Sequence, residues 1–175
     1  MEKLSLSALV NNHAGVLLRV VALFSRRGYN IQSLTVSETE DSRFSRMTIV
    51  SEAAPVTFRQ MEKQLLKLED VVKVIRLEEE HLIASELALV KVRALNKDRP
   101  AVLRTISKYG ARVKDIGHRT ITAELTGATE RIDSFIEDMG EHGIVEMSRS
   151  GMTALESGDE SIRDHEAVTG AQPRD

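Results

Sequence analysis

The sequence predicts an α+β fold made of two βαββαβ units in tandem. Strand-like and helix-like apolar patterns follow one another in that order, the order recurs after residue 86, and glycines stand where helices begin and end. With 175 residues, the chain is long enough for two small domains. We expect domains over 1–78 and 86–158, a linker over 79–85 and a disordered tail over 159–175.

The first unit opens with a strand and an amphipathic helix. Residues 4–10 partly alternate and predict a strand, and residues 16–26 carry apolar residues at helical spacing. Gly28 follows this helix, at a position where a left-handed residue commonly ends one. Two strand patterns over 31–38 and 46–51 flank a polar turn and predict a hairpin.

A second helix and a last strand complete the first unit. Pro55 suits the first position of a helix. The apolar face of that helix consists of Phe58, Met61, Leu65 and Leu68. Residues 71–77 then predict a strand, which gives the split ferredoxin-like order.

The second unit repeats this order. Residues 87–92 predict a strand, and we expect Asp98 to cap a helix that continues through Ile106 and ends at Gly110. The remaining elements are strands over 111–116 and 120–125, a helix carrying Ile132, Phe135, Ile136 and Met139, and a strand over 143–147.

Composition excludes several classes of function. The chain has no cysteine, which excludes disulfides, thiolate metal sites and a cysteine nucleophile. The net charge is −3, and the acidic excess lies after residue 150, so no basic patch suggests nucleic-acid binding. The central strands over 47–50 and 121–124 also lack the aromatic residues that stack on RNA bases. No signal peptide and no membrane-spanning run is evident, and we expect a cytoplasmic protein.

The residues also predict no catalysis. None of the five histidines has a second ligand at metal-site spacing, and we find no nucleophile motif, phosphate loop or dinucleotide fingerprint. We therefore expect no catalytic residue, no metal and no cofactor on this chain.

The junction between the first strand and the first helix is the best candidate for a binding site. A short polar loop with Asn12 and Gly15 leads into the helix, whose free N–H groups and dipole favour a carboxylate. A plainer interpretation is that Asn12 caps the helix and Gly15 permits the turn. The matching loop of the second unit, residues 96–100, has charges but no glycine, so the first unit is the better candidate.

A longer motif makes the interpretation more specific. Residues 27–31 read Arg-Gly-Tyr-Asn-Ile, with Leu-Phe-Ser shortly before and Ser-Leu-Thr-Val shortly after. Together with residues 45–49, 60–71, 86–92 and 149–155, this closely resembles the regulatory (small) subunit family of acetohydroxyacid synthase, also called acetolactate synthase. The resemblance covers residues 3–158.

The resemblance implies that the first unit is an ACT domain and that two ACT domains pair side by side in a homodimer. It also implies that a branched-chain amino acid, with valine foremost, binds at their seam. The matching effector-binding positions are Asn12, Gly15, Val16 and Leu17 of one protomer with Asn30 and Ile31 of the other. His13, Ala14 and Leu18 depart from the residues that are common in the family, so the resemblance leaves the identity of the effector open.

The implied function is regulatory. The chain would activate a catalytic (large) subunit and confer feedback inhibition in valine, leucine and isoleucine biosynthesis. Thiamin diphosphate, magnesium and FAD are implied for that catalytic partner only. The alternative is a free-standing ACT-type amino-acid sensor that acts on another protein.

Overall fold

The computed structural model describes residues 2–165, and their contacts divide them into two units. Residues 2–83 form the first unit together with residues 152–165, and Ala84–Gly151 form the second. The contacts thus group residues 152–158 with the first unit, whereas the sequence-based limits of 86–158 assign them to the second.

The first unit has the predicted βαββαβ order. Its elements are β1 (Glu2–Asn11), α1 (Val16–Arg26), β2 (Ser33–Glu38), β3 (Phe44–Ala53), α2 (Pro55–Leu65) and β4 (Val71–Leu77). The four strands form one antiparallel sheet in the order β2-β3-β1-β4, so β2 and β4 are its edges. The predicted α+β fold class is confirmed.

The core of the first unit lies between the sheet and its two helices. Alternate residues of β1 face the helices because side chains alternate across a strand. Leu6 pairs with Ile49 and Ala8 with Met47, and all four side chains are buried. Each helix adds a fully buried phenylalanine, Phe24 from α1 and Phe58 from α2.

The second unit repeats the order after a single 3₁₀ turn over Glu79–His81. Its elements are β5 (Leu82–Arg93), α3 (Arg99–Lys108), β6 (Arg112–Ile116), β7 (Thr120–Gly127), α4 (Thr129–Gly140) and β8 (Ile144–Arg149), with the strand order β6-β7-β5-β8. Residues 82–85, predicted as linker, are thus the start of β5. Asp98 stands at the N-cap position of α3, as predicted, but its side chain makes no capping hydrogen bond.

A C-terminal segment, part of which is predicted as disordered tail, covers the other face of the first sheet. The C-terminal segment, residues 152–165, contains β9 (Thr153–Glu156). Its buried residue Ile162 lies with Leu9 and Arg46 around one small cavity on the sheet face that points away from the helices. Ser7 and Thr48 are buried on the same face. Residues 159–165 therefore make contacts, and residues 166–175 of the predicted tail lie outside the described residues.

Polar contacts fix the C-terminal segment to the first sheet. Arg163 pairs with Glu40 at 3.0 Å, and its guanidinium lies 5.7 Å from the centre of the Phe44 ring. The ammonium group of Lys73 donates to the backbone carbonyls of Arg163 and His165. These bonds connect the segment to β4 and to the turn between β2 and β3.

Candidate functional site

The start of α1 has the backbone geometry that the sequence predicts for a carboxylate site. Gly15 precedes the helix with φ +90°, a left-handed conformation that favours glycine. The Val16 N–H reaches the carbonyl of His13 over a long 3.4 Å, and no side chain caps the helix. The first turn has no acidic residue either. Its N–H groups therefore keep capacity for an anion.

Asn12 does not cap the helix, and that interpretation is wrong. Its side-chain amide donates to a carboxylate oxygen of Glu38 at 2.7 Å and to the carbonyl of Ser42 at 2.9 Å. Its Oδ1 accepts from the hydroxyl of Ser45 at 3.0 Å, and its backbone N–H donates to the carbonyl of Arg43 at 2.7 Å. Asn12 thus ties the β1–α1 loop to the β2–β3 turn, and one lone pair of Oδ1 remains for a ligand.

An ionic cluster that no local sequence pattern predicts lies beside Gly15. The two carboxylate oxygens of Asp70 bind His13 Nε2 at 2.8 Å and Arg19 Nε at 2.6 Å. A Cβ added to Gly15 would lie 3.7 Å from Arg19 Nη1, so a guanidinium stands next to the start of the helix. The Asp70 side chain is only 13% exposed, and its backbone carbonyl accepts from the N–H of Asn11 at 2.8 Å.

The order of the strands in the predicted fold is enough to indicate this cluster. Since β4 lies beside β1 and runs antiparallel to it, the residue before β4 must lie near the end of β1. Asp70 is that residue, although 51 positions separate it from Arg19. The cluster borders a small cleft of about 310 Å³, which is lined by Asn11, Asn12, His13, Arg43, Phe44, Glu69 and Asp70.

The turn that Asn12 holds is itself stabilised by an ion pair. Arg43 Nη2 donates to the carboxylate of Asp41 at 2.9 Å, and the Arg43 backbone N–H also donates to this carboxylate at 3.1 Å. These bonds lower the pKa of Asp41 to about 2. The carboxylate is therefore charged at neutral pH and helps to keep this wall of the site in place.

Asn30 and Ile31 lie at the other end of α1. An α-helix rises about 1.5 Å per residue, so the 11 residues of α1 separate Gly15 from this end by roughly 16 Å. Asn30 is exposed, and its backbone carbonyl accepts from the hydroxyl of Ser51 at 2.5 Å. Ile31 is half-buried against the core. A single chain therefore does not bring the six predicted effector residues together.

An apolar surface lies between these two groups of residues. Leu17, Leu18 and Val21 of α1 are 44%, 72% and 37% exposed. The connection from β1 to β2 places α1 on the β2 side of the sheet, where β2 leaves one edge unpaired. Val36 on that edge strand is also 37% exposed. An exposed apolar face next to an open strand edge is typical of a surface that meets a partner.

Residues 2–165 contain no group of three or more histidine, aspartate or glutamate side chains placed to hold a metal ion. Within the same range, every helix is too short or too polar to cross a membrane.

Comparisons with known proteins agree with this architecture. A family model described as the AHAS small subunit-like ACT domain matches residues 6–73, and one described as the small subunit of acetolactate synthase matches residues 85–158. The chain is 40% identical over 158 residues to the acetolactate synthase small subunit of Mycolicibacterium smegmatis, which covers 90% of this chain and 93% of that one. It is 39% identical to the corresponding protein of Haemophilus influenzae, with 90% and 97% covered.

A solved structure of an acetolactate synthase small subunit is also similar to this chain. The small subunit of acetolactate synthase from Thermotoga maritima has a TM-score of 0.85 and 32% sequence identity to this chain, and the match covers 91% of this chain and all of that one. The chain belongs to the family of acetolactate synthase small subunits, which are the regulatory subunits of that enzyme, and its first unit is an ACT domain.

Proposed function

We propose that this chain binds a branched-chain amino acid, with valine foremost, where the ACT domains of two copies meet. In this proposal the bound amino acid inhibits the catalytic subunit, and the chain without effector activates it. The observation that carries the proposal is the uncapped, glycine-led start of α1 beside a guanidinium. That arrangement suits the carboxylate of a small ligand.

The effector's carboxylate takes the N–H groups of the first turn of α1, from Gly15 to Leu17. Arg19 adds a positive charge next to this position, and Asp70 keeps the guanidinium in place. A side chain at position 15 would fill the ligand's space and would strain the left-handed backbone.

The effector's ammonium group needs acceptors. Asn12 Oδ1 accepts one hydrogen bond from Ser45 and has capacity for one more. The side-chain oxygen of Asn30 from the second copy supplies another. Leu17 and the second copy's Ile31 form apolar walls for the branched side chain.

Pairing of two β2 edges explains why the site needs two copies. A two-fold axis between the edges makes the strands antiparallel and also sets the two α1 helices antiparallel. The start of one α1 then faces the end of the other, so Gly15 of one copy approaches Asn30 of the other. The same pairing covers the exposed face formed by Leu17, Leu18 and Val21.

The reaction itself belongs to the catalytic subunit, whose presence is implied by membership of this family. Thiamin diphosphate, magnesium and FAD would be held by that subunit. Allosteric coupling typically amounts to about 1–3 kcal/mol, so a few contacts that differ between two states suffice to transmit the signal. The relatives from Mycolicibacterium smegmatis and Haemophilus influenzae are acetolactate synthase small subunits, which favours this enzyme over another target of a free-standing sensor.

The Gly15→Asp variant in the reconstituted holoenzyme tests this proposal. We expect the concentration of valine needed for half inhibition to rise roughly 100-fold or more, because the variant adds a carboxylate to a carboxylate site and fills it. Activation of the catalytic subunit in the absence of valine is expected to persist.

Gly110→Asp is the matched control. Gly110 also has a positive φ, +61°, but it follows α3 in the second unit. This variant carries similar backbone strain and should keep valine inhibition. Normal valine inhibition of the Gly15→Asp holoenzyme would rule out the proposed position of the effector.

A further inference from the structure

The second unit has a cleft at the position that corresponds to the candidate site of the first unit. In the first unit, the Asn12 N–H donates to the carbonyl of Arg43 at 2.7 Å. In the second unit, the Ala94 N–H donates to the carbonyl of Arg119 at 2.9 Å. Both bonds tie the residue after the first strand of the unit to the turn of the following hairpin.

A second pair of bonds repeats in the same way. The Asn11 N–H donates to the carbonyl of Asp70 at 2.8 Å, and the Arg93 N–H donates to the carbonyl of Gly143 at 3.0 Å. Each bond joins the end of the first strand to the loop before the last strand. The two clefts are therefore equivalent places in a repeated fold.

The cleft of the second unit is the larger of the two. Its volume is about 700 Å³, against about 310 Å³ for the cleft at Asn12, and small-ligand sites typically measure about 300–1,000 Å³. Residues lining it are Arg93, Leu95, Asp98, Ala101, Arg119, Thr120, Glu141, His142 and Val145.

Four charged side chains that line this cleft have no partner among the described residues. Neither the guanidinium groups of Arg93 and Arg119 nor the carboxylates of Asp98 and Glu141 make a hydrogen bond or ion pair within residues 2–165. All four are accessible to a ligand, because Arg93, Arg119 and Glu141 are exposed and Asp98 is half-buried. The cleft thus presents two positive and two negative groups that do not neutralise one another.

The charges and the apolar residues restrict the class of ligand. A polyanion such as a phosphate ester would meet two carboxylates, and a simple cation would meet two guanidinium groups. A zwitterion satisfies both pairs, because arginine forms strong bonds with carboxylates and carboxylates bind ammonium groups. Leu95, Ala101 and Val145 provide apolar contacts for a small side chain.

We propose that this cleft is a second amino-acid site, which binds a free L-α-amino acid with a small apolar side chain. Arg93 and Arg119 hold its carboxylate, and Asp98 and Glu141 hold its ammonium group. The Arg93 side chain passes close to Gly143, where an added Cβ would lie 3.9 Å from Arg93 Cδ. The site lies wholly within the second unit, so it needs neither the ACT seam nor a second copy.

Amide chemical shifts of the full-length chain, labelled with ¹⁵N, test this site separately from the ACT site. We titrate the wild type and Gly15→Asp with L-alanine, L-valine, L-leucine and L-isoleucine to about 10 mM, a range that detects even millimolar affinity. At least one of them should shift the amides of Ala94, Arg119 and Gly143 in a saturable way in both proteins. The N-acetyl derivative and the carboxamide derivative of the amino acid that binds should each bind at least tenfold more weakly, since each lacks one of the two charges.

Two cleft variants, a control variant and inorganic phosphate as a second probe test whether the cleft binds the amino acid. Arg119→Ala and Glu141→Gln should each weaken this binding about tenfold, as loss of a charge-assisted hydrogen bond does. Arg112→Ala, an exposed arginine of β6 that does not line the cleft, should leave it unchanged. The proposal is overturned if no amino acid shifts the three amides, if inorganic phosphate does so instead, or if both cleft variants bind as the wild type does. Loss of shifts at Gly15–Leu17 alone would contradict the ACT site and not this one.

Discussion

Gly15 and Asn12 have different roles in the β1–α1 loop. Gly15 adopts the left-handed backbone that lets the helix begin without a side chain over its N–H groups. Asn12 uses its amide to fasten this loop to the next hairpin through Glu38, Ser42 and Ser45. The sequence predicts that both residues belong to the binding site. The contacts of Asn12 indicate that it mainly holds the β1–α1 loop against the β2–β3 turn, which forms one wall of that site.

Asn12→Ala is therefore expected to lower stability as well as effector affinity. Three side-chain hydrogen bonds disappear, each of which contributes about 0.5–1.5 kcal/mol when buried and less at an exposed residue such as this one. We expect the free energy of unfolding to fall by about 1–2 kcal/mol, as measured by urea denaturation. Asn96→Ala, in the matching loop of the second unit, should change it by less than about 0.5 kcal/mol. Equal stability of the two variants would contradict this role.

Asp41 makes the stability of the same wall depend on pH. Its hydrogen bonds to Arg43 lower the folded-state pKa from 3.8 to about 2, so the carboxylate contributes stability that is fully present above pH 3.8. That contribution is lost as the pH falls through about 2. The difference in unfolding free energy between the wild type and Asp41→Asn should therefore shrink between pH 5 and pH 2. A difference that is independent of pH over this range would show that the ion pair between Asp41 and Arg43 does not stabilise the folded chain.

At the scale of elements, α1 is the part of the fold that the sequence predicts best. Its limits, Val16 and Arg26, agree because Gly15 and Gly28 take left-handed conformations on either side of a regular apolar pattern. Asp70 was missed because its contacts depend on strand pairing 51 residues away, although the topology of the predicted fold contains the information.

The C-terminal segment could not be predicted in the same way. Its buried residues Met152, Ala154 and Ile162 are too few and too irregularly spaced to give a helical or strand-like period. The sheet face beside Ile162 includes Ser7 and Thr48, which do not stand out as a hydrophobic strand face. Only the folded sheet creates the surface against which this segment packs.

Ile162→Ala tests whether the C-terminal segment stabilises the first unit. Ile162 is 4% exposed, so its truncation removes apolar contacts and should lower the free energy of unfolding by about 2 kcal/mol. Leu155→Ala in the same segment is a control, since Leu155 is 52% exposed and its truncation should change stability by less than about 0.5 kcal/mol. Similar small effects of both variants in thermal or urea denaturation would mean that the segment is not held against the sheet.

In the whole molecule one fold is used twice, and the proposed effector site requires two copies of the chain. The first unit places the two groups of proposed effector residues at opposite ends of α1, with an exposed apolar face between them. The second unit keeps the same backbone scaffold but places unpaired charges in its cleft. Fold class and family follow from the sequence, whereas the division of a site between two copies rests on a proposal about assembly.

Mixed dimers of two variants test whether the effector site is shared between two copies. We label the Asn30→Ala chain with ¹⁵N and follow the amides of Val16 and Leu17 during titration with L-valine. In the Asn30→Ala homodimer each site lacks one acceptor for the ammonium group, so valine should bind at least about tenfold more weakly. In a mixed dimer with unlabelled Gly15→Asp, the labelled chain's intact Gly15 meets an intact Asn30, so the amide shifts should return with wild-type affinity. Failure of the shifts to return, or wild-type binding by the Asn30→Ala homodimer, would contradict an effector site shared between two copies.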